Sequence, residues 1–198
     1  MDVGTVTLGV SIAVPEPYGS LLQQRRAGFG DAAAHCIPTH VTLLPPTEVD
    51  TDAVPAFRLH LARVADGLRP FRMRLQGTGT FRPLSAVVYV RLAEGIEDCS
   101  AIQELVRSGP VHRELQFPYH PHVTVAHDIA DEAMDRAYEE LAGFRADWTV
   151  SGFALYTRDD DGAWHKAQDY PFAGGRTVPG LPAQAGPLDA PAEPSLRP

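Results

Sequence analysis

Tyr119-His120-Pro121-His122-Val123-Thr124-Val125-Ala126-His127 decides how this chain is read, because it repeats an earlier stretch, Ile37-Pro38-Thr39-His40-Val41-Thr42-Leu43-Leu44. Each copy holds His, Val, Thr and an apolar residue in that order, with proline just upstream. The β-branched content and the preceding proline predict a short strand entered from an extended turn. Side chains alternate along a strand, so His and Thr of one copy share a face, about 6–7 Å apart, while Val points into a core. One His-x-Thr among eight histidines would carry little weight. A single histidine in an apolar strand is more often packed than catalytic. Two copies with the same middle residue and the same surroundings place two imidazoles and two hydroxyls, and facing one another they would form a symmetric acid/base site.

Working outward, Val3 to Val14 reads as a first strand, followed by a helix with Tyr18, Leu21, Leu22, Arg25 and Phe29 on its stripe. His40 to Leu44 is the next strand, closed by Pro45-Pro46, and Thr51 or Asp52 caps a helix whose apolar face is Val54, Phe57, Leu61, Val64 and Leu68. Phe71 to Leu75 alternates with arginines as a half-wet strand. Gly77-Thr78-Gly79 reads as a turn, and Ala86 to Leu92 as the returning strand. Asp98 or Ser100 opens a helix carrying Ile102, Leu105 and Val106. The second His-Val-Thr strand follows, then a helix from Asp131, a strand from Trp148 to Tyr156, a tip at Asp159 to Gly162, and a strand from Trp164 to Tyr170.

Residues 1–173 form one domain on this reading, and residues 174–198, rich in Pro, Gly and Ala, a disordered tail. The order of elements predicts an α+β fold of two pseudo-symmetric lobes, each with an antiparallel sheet and outer helices, flanking a central groove. A doubly wound parallel sheet is disfavoured because no Gly-rich phosphate loop follows the first strand.

Composition narrows the function. The net charge of -8 disfavours extended duplex nucleic acid, which requires an array of phosphate contacts. Two cysteines are too few for a disulfide framework or a cysteine zinc site. No stretch reaches membrane-spanning length and the N-terminus lacks a signal-peptide pattern, so a cytoplasmic protein is expected. No cofactor and no metal is expected. A metal site built from His35, His40, His120, His122 and His127 is the competing reading, weakened because neither motif holds a carboxylate. A nucleotide- or RNA-binding protein with the same groove and little turnover is another.

His40-Val41-Thr42-Leu43 and His122-Val123-Thr124-Val125 resemble the paired H-x-T-x motifs of the 2H phosphoesterase superfamily, in particular its 2′-5′ RNA ligase / RNA 2′,3′-cyclic phosphodiesterase branch. The resemblance covers roughly residues 3–173. It implies metal-independent opening of 2′,3′-cyclic phosphodiesters of nucleotides or RNA ends, or making and breaking of 2′-5′ linkages. It implies His40 and His122 as the catalytic pair, with His122 as base and His40 as acid, although the residues alone leave that assignment open. It implies Thr42 and Thr124 as phosphate-binding hydroxyls. Many members carry arginine three residues after the second threonine, where this chain has His127.

The chemistry suits these residues. Imidazole takes or gives a proton near neutral pH, and two imidazoles on opposite sides of phosphorus serve as base and acid. Hydroxyl donors answer the charge on the other phosphoryl oxygens. Further candidates for substrate contact are His120, which shares the parity of His122, and His127. Tyr119, Phe81 and Tyr156 are candidates for stacking on a base, and Arg82 for a phosphate contact. The expected partner is a small nucleotide or RNA end, bound by a monomer.

Overall fold

The computed structural model describes residues 4–174. The tail expected over residues 174–198 lies outside them, Gly174 excepted. The chain runs β1 (Thr5–Ala13), α1 (Tyr18–Gly28), β2 (His40–Asp50), α2 (Val54–Asp66), β3 (Phe71–Thr80), β4 (Val87–Glu94), α3 (Ile96–Arg107), β5 (His122–His127), α4 (Asp131–Glu140), β6 (Arg145–Val150), β7 (Gly152–Arg158) and β8 (Trp164–Pro171). The strands form two four-stranded antiparallel sheets, ordered β2-β1-β7-β8 and β5-β4-β3-β6. This is the α+β architecture expected from the sequence, and each His-Val-Thr strand is the edge of its own sheet.

Helices join the two sheets by crossing over. α1, from the first sheet's connection, packs on β5, and α3, from the second, packs on β2. A single apolar core results, in which Val10 and Val41 of one sheet and Val90 and Val123 of the other are sealed together with Leu22, Phe57, Ile102 and Met134 from the four helices. α2 follows its predicted stripe: Phe57, Leu61 and Val64 are buried, and Pro55 occupies the first turn, where its missing N–H costs nothing.

Several boundaries differ from the sequence reading. β2 does not stop at Pro45-Pro46 but continues to Asp50, because the prolines sit where the pairing with β1 slips, between Leu8↔Thr47 and Val10↔Leu44, so no ladder N–H is required of them. Gly77 is not in a turn either. It supplies a φ of +68° at a bulge inside β3, where Leu75↔Leu92 is followed by Thr78↔Val90. The turn itself comes later, over residues 81–86. α3 begins at Ile96 behind Gly95, without a side-chain cap. The single strand expected from Trp148 to Tyr156 is two: β6 pairs with β3 in the second sheet, and past Ser151 the chain crosses to pair with β1 in the first. The lobes are therefore not contiguous halves of the chain.

Candidate active site

Both motif strands carry the same irregularity. In the first, Val10↔Leu44 and Ser11↔Thr42 leave Leu43 unpaired, and in the second, Val88↔Ala126 and Tyr89↔Thr124 leave Val125 unpaired. Each unpaired residue is buried, so two consecutive residues face the core and the alternation flips. His40 and Thr42, and likewise His122 and Thr124, remain half-buried on the groove face, with Val41 and Val123 at 0% exposure behind them. The flip also returns the third residue after each threonine to the groove side. That residue is Pro45 in the first motif and His127, paired with Val87, in the second. Strict alternation would have sent His127 into the core. It is instead exposed at the end of β5, 3.2 Å from the Asp128 carboxylate.

The imidazoles are held alike. His40 Nδ1 lies 2.6 Å from the Pro38 carbonyl, and His122 Nδ1 lies 2.7 Å from the His120 carbonyl. A carbonyl only accepts, so each Nδ1 is the donor and, in the neutral ring, each Nε2 keeps its lone pair. The first acceptor is fixed by α1. Gln23 Nε2 donates to the Ile37 carbonyl at 3.0 Å and to that of Ala34, Thr39 Oγ1 donates to Gly19 O at 3.0 Å, and the buried Arg26–Asp31 pair, at 2.7 Å, ties the start of the same loop. Sequence reasoning did not identify these carbonyl acceptors, although each stands two residues before its histidine.

Burial lowers the pKa of both histidines, because desolvation penalises the charged ring. For His40 the nearby Arg26 guanidinium lowers it further, against the opposing pull of the Pro38 carbonyl. His122 is pushed down to about 4, chiefly by burial, with smaller contributions from His120 and His40. Both rings are therefore neutral at neutral pH in the unliganded protein. Around His122 the rings of Phe81 and Tyr89 stand 5.0 and 5.1 Å away, and His120 packs against the same two rings.

The two motifs open into one groove of about 520 Å³, lined by Thr42 and Pro45 from the first and by His120 and His122 from the second, with Phe81 beside them. Its rim carries Leu84, 85% exposed, and Phe117, 69% exposed, which the sequence pattern did not single out. Tyr119 lines the groove, but its hydroxyl, like the guanidinium of Arg82, is engaged by a protein partner. Tyr119 Oη donates to the Thr42 carbonyl at 2.7 Å, and burial raises its pKa. The guanidinium of Arg82 is committed to Asp135 at 2.6 Å and Asp131 at 3.6 Å on α4, which takes its charge away from a phosphate in the groove. Arg113, not anticipated, donates to the Pro46 carbonyl. Among the described residues no three His, Cys, Asp or Glu side chains converge as a metal-ligand group, and the histidines considered for that role do not form one.

Three comparisons bear on this geometry. The family model of the 2′-5′ RNA ligase superfamily matches residues 14–162. A Bacillus licheniformis protein named as a phosphoesterase is 28% identical over 138 residues, 65% of this chain and 76% of its own. A Geobacillus kaustophilus protein of the same naming is 25% identical over 172 residues, 86% of this chain and 98% of its own. Among solved structures, Escherichia coli LigT complexed with 3′-AMP superposes with a TM-score of 0.62 at 17% identity, covering 85% of this chain and 99% of that one. TT0787 of Thermus thermophilus superposes with a TM-score of 0.61 at 22% identity, covering 86% and 100%. At those identities the superpositions speak for the fold.

Proposed function

Because this chain belongs to the 2′-5′ RNA ligase superfamily, we propose that it is a metal-independent phosphodiesterase that opens 2′,3′-cyclic phosphodiesters of nucleotides or RNA ends. One observation carries the reading: two His-x-Thr strands share the same bulge and the same Nδ1-to-carbonyl bond, with Thr42 and His122 lining one cleft and His40 lining the recess that adjoins it at Thr42. By the family resemblance His122 is taken as the base: its ring is neutral in the unliganded site, so its Nε2 is free to take a proton from the attacking water. His40 gives the proton from its Nε2 to the departing ribose oxygen. The anionic phosphate raises the His40 pKa on binding and so loads that proton. Thr42 and Thr124 donate their hydroxyls to the remaining phosphoryl oxygens, whose negative charge grows in the transition state. Replacing water by a ribose hydroxyl gives, by microscopic reversibility, the making and breaking of 2′-5′ linkages in the same site.

The substrate class follows from the cleft's size, from the net charge of -8, and from a structural neighbour, E. coli LigT, solved with 3′-AMP, ATP and NADP+. We take the protein to act as a cytoplasmic monomer on small nucleotides or single-stranded ends. No described helix is long and apolar enough to cross a membrane. The test is hydrolysis of a panel of 2′,3′-cyclic nucleotides and cyclic-phosphate-ended RNA in excess EDTA. Turnover supports the proposal, and the best substrate separates small nucleotides from RNA ends. Silence across the panel, or activity only when a divalent metal is returned, overturns it.

A further inference from the structure

The open face of the second sheet runs on from His122 and Thr124, and it carries a charge that the mechanism does not use. Arg91 of β4 is the direct register partner of His122, as Tyr89 is of Thr124. Residues opposite one another in an antiparallel pair share a face. Arg91 therefore stands on the same side of the sheet as the catalytic candidate, and it is exposed. Both side chains lie across β3 because that strand has glycine beneath them. A Cβ on residue 79 would stand 2.6 Å from the Tyr89 ring, and one on residue 77 would stand 3.1 Å from the Arg91 guanidinium. The guanidinium thus sits over β3, one strand further from β5 than its own backbone. Burial raises the Tyr89 pKa and the Arg91 charge opposes it, so the guanidinium is near the hydroxyl of the ring that packs 5.1 Å from His122.

The sign of this face is opposite to that of the chain. The protein has a net charge of -8, yet the open face of β3, β4 and β6 sets Arg72, Arg74, Arg91 and Arg145 against Glu94 and Asp147. Arg74 faces Glu94 on one neighbouring strand and Asp147 on the other, and Gln76 faces Arg145. Glu94 lies 3.2 Å from Arg74 and Asp147 lies 2.6 Å from Arg72, which takes up both carboxylates. Arg91 and Arg145 have no carboxylate within ion-pair distance among the described residues. The first lobe has no such charge, since the residue opposite His40 is Ala13.

We propose that Arg91, with Arg145 adding to the field behind it, binds the phosphodiester that joins the terminal nucleotide of a single-stranded RNA to the rest of its strand, one nucleotide upstream of the cyclic phosphate at His122 and Thr124. The inference rests on the phosphodiesterase reading and deepens it, selecting the RNA end over the free cyclic nucleotide as substrate. The place of the guanidinium over Gly77, and not beside the imidazole, suits a second phosphate and not the reacting one. Its planar fork matches two oxygens of that phosphate. A phosphate contact reads no base, so strands of different sequence are held alike at this point.

The test compares 2′,3′-cyclic AMP with the dinucleotide ApA ending in a 2′,3′-cyclic phosphate, which the wild type takes at the lower KM. Arg91→Ala raises KM for the dinucleotide about tenfold, the low end of what a hydrogen bond to a charged group contributes, with kcat kept, and shifts that for 2′,3′-cyclic AMP less than about twofold. Arg91→Lys restores part of the loss. The wild type takes a dinucleotide joined by an uncharged methylphosphonate as weakly as Arg91→Ala takes the natural one. An equal loss on mononucleotide and dinucleotide, no loss on either, or full affinity for the methylphosphonate overturns the proposal. If no cyclic phosphodiester is hydrolysed at all, the functional reading falls, and titration of the wild type and Arg91→Ala with ApA 3′-phosphate and with 3′-AMP alone decides whether Arg91 holds a second phosphate.

Discussion

The hydroxyl of Tyr119 donates to the backbone carbonyl of Thr42 at 2.7 Å, joining the residue three before the second catalytic candidate to the threonine of the first motif. β2 and β5 are edges of different sheets, so no ladder of strand pairing fixes one motif against the other. This bond, with that of Arg113 to Pro46, fastens the second lobe's loop to the first motif's strand. The carbonyl of Thr42 belongs to the residue whose hydroxyl faces the groove, so the bond sets how that hydroxyl is presented.

Tyr119→Phe removes the donor while keeping the ring. We expect a stability loss of about 1–2 kcal/mol, since a partly buried acceptor is left unpaired. We also expect kcat to fall while KM changes little, because the geometry matters most in the transition state. Denaturant unfolding and steady-state kinetics on one preparation read both.

The threonines supply donors without chemistry of their own. Thr42→Val and Thr124→Val keep the shape and β-branching and remove the hydroxyl, so each should fold and lose about 10²-fold in kcat, the scale of one lost oxyanion donor. Retention of wild-type kcat in both would remove the hydroxyls from the mechanism.

Acid should destabilise this protein through its motif histidines. Both have folded-state pKa values below the ordinary 6.5, that of His122 about 4. Between about 4 and 6.5 the unfolded chain binds protons that the folded chain refuses, so stability rises with pH across that window and is lost as pH falls through it. His122→Asn should flatten this dependence between pH 6.5 and 4 in urea titrations. An unchanged slope would mean that His122 is not buried as a neutral ring.

The sequence makes the motifs legible and with them the two-sheet architecture, since His-Val-Thr repeats with proline before each copy and Val41 and Val123 are core residues as alternation requires. What it hides is where alternation breaks. Leu43-Leu44 and Val125-Ala126 are apolar pairs that fit a strand of either parity, so the bulges that bring Pro45 and His127 to the groove side leave no mark in hydropathy. Pro45-Pro46 reads as a stop because proline cannot donate to a ladder, yet a bulge lets the strand pass through them. Nor does the pattern change at Ser151, where the chain leaves one sheet for the other, since Val150 and Phe153 on either side are both buried. Arg82 has a plausible charge and position for phosphate, and only its distance to Asp135 reveals the competing partner.

The most direct measurement is kcat for the wild type, His40→Ala and His122→Ala on the best 2′,3′-cyclic substrate in excess EDTA, with folding checked by circular dichroism. Two imidazoles acting as acid and base predict that each variant folds and loses at least about 10²-fold, the lower end of what one positioned proton transfer contributes. A folded variant of either kind that turns over near the wild-type rate would contradict the account.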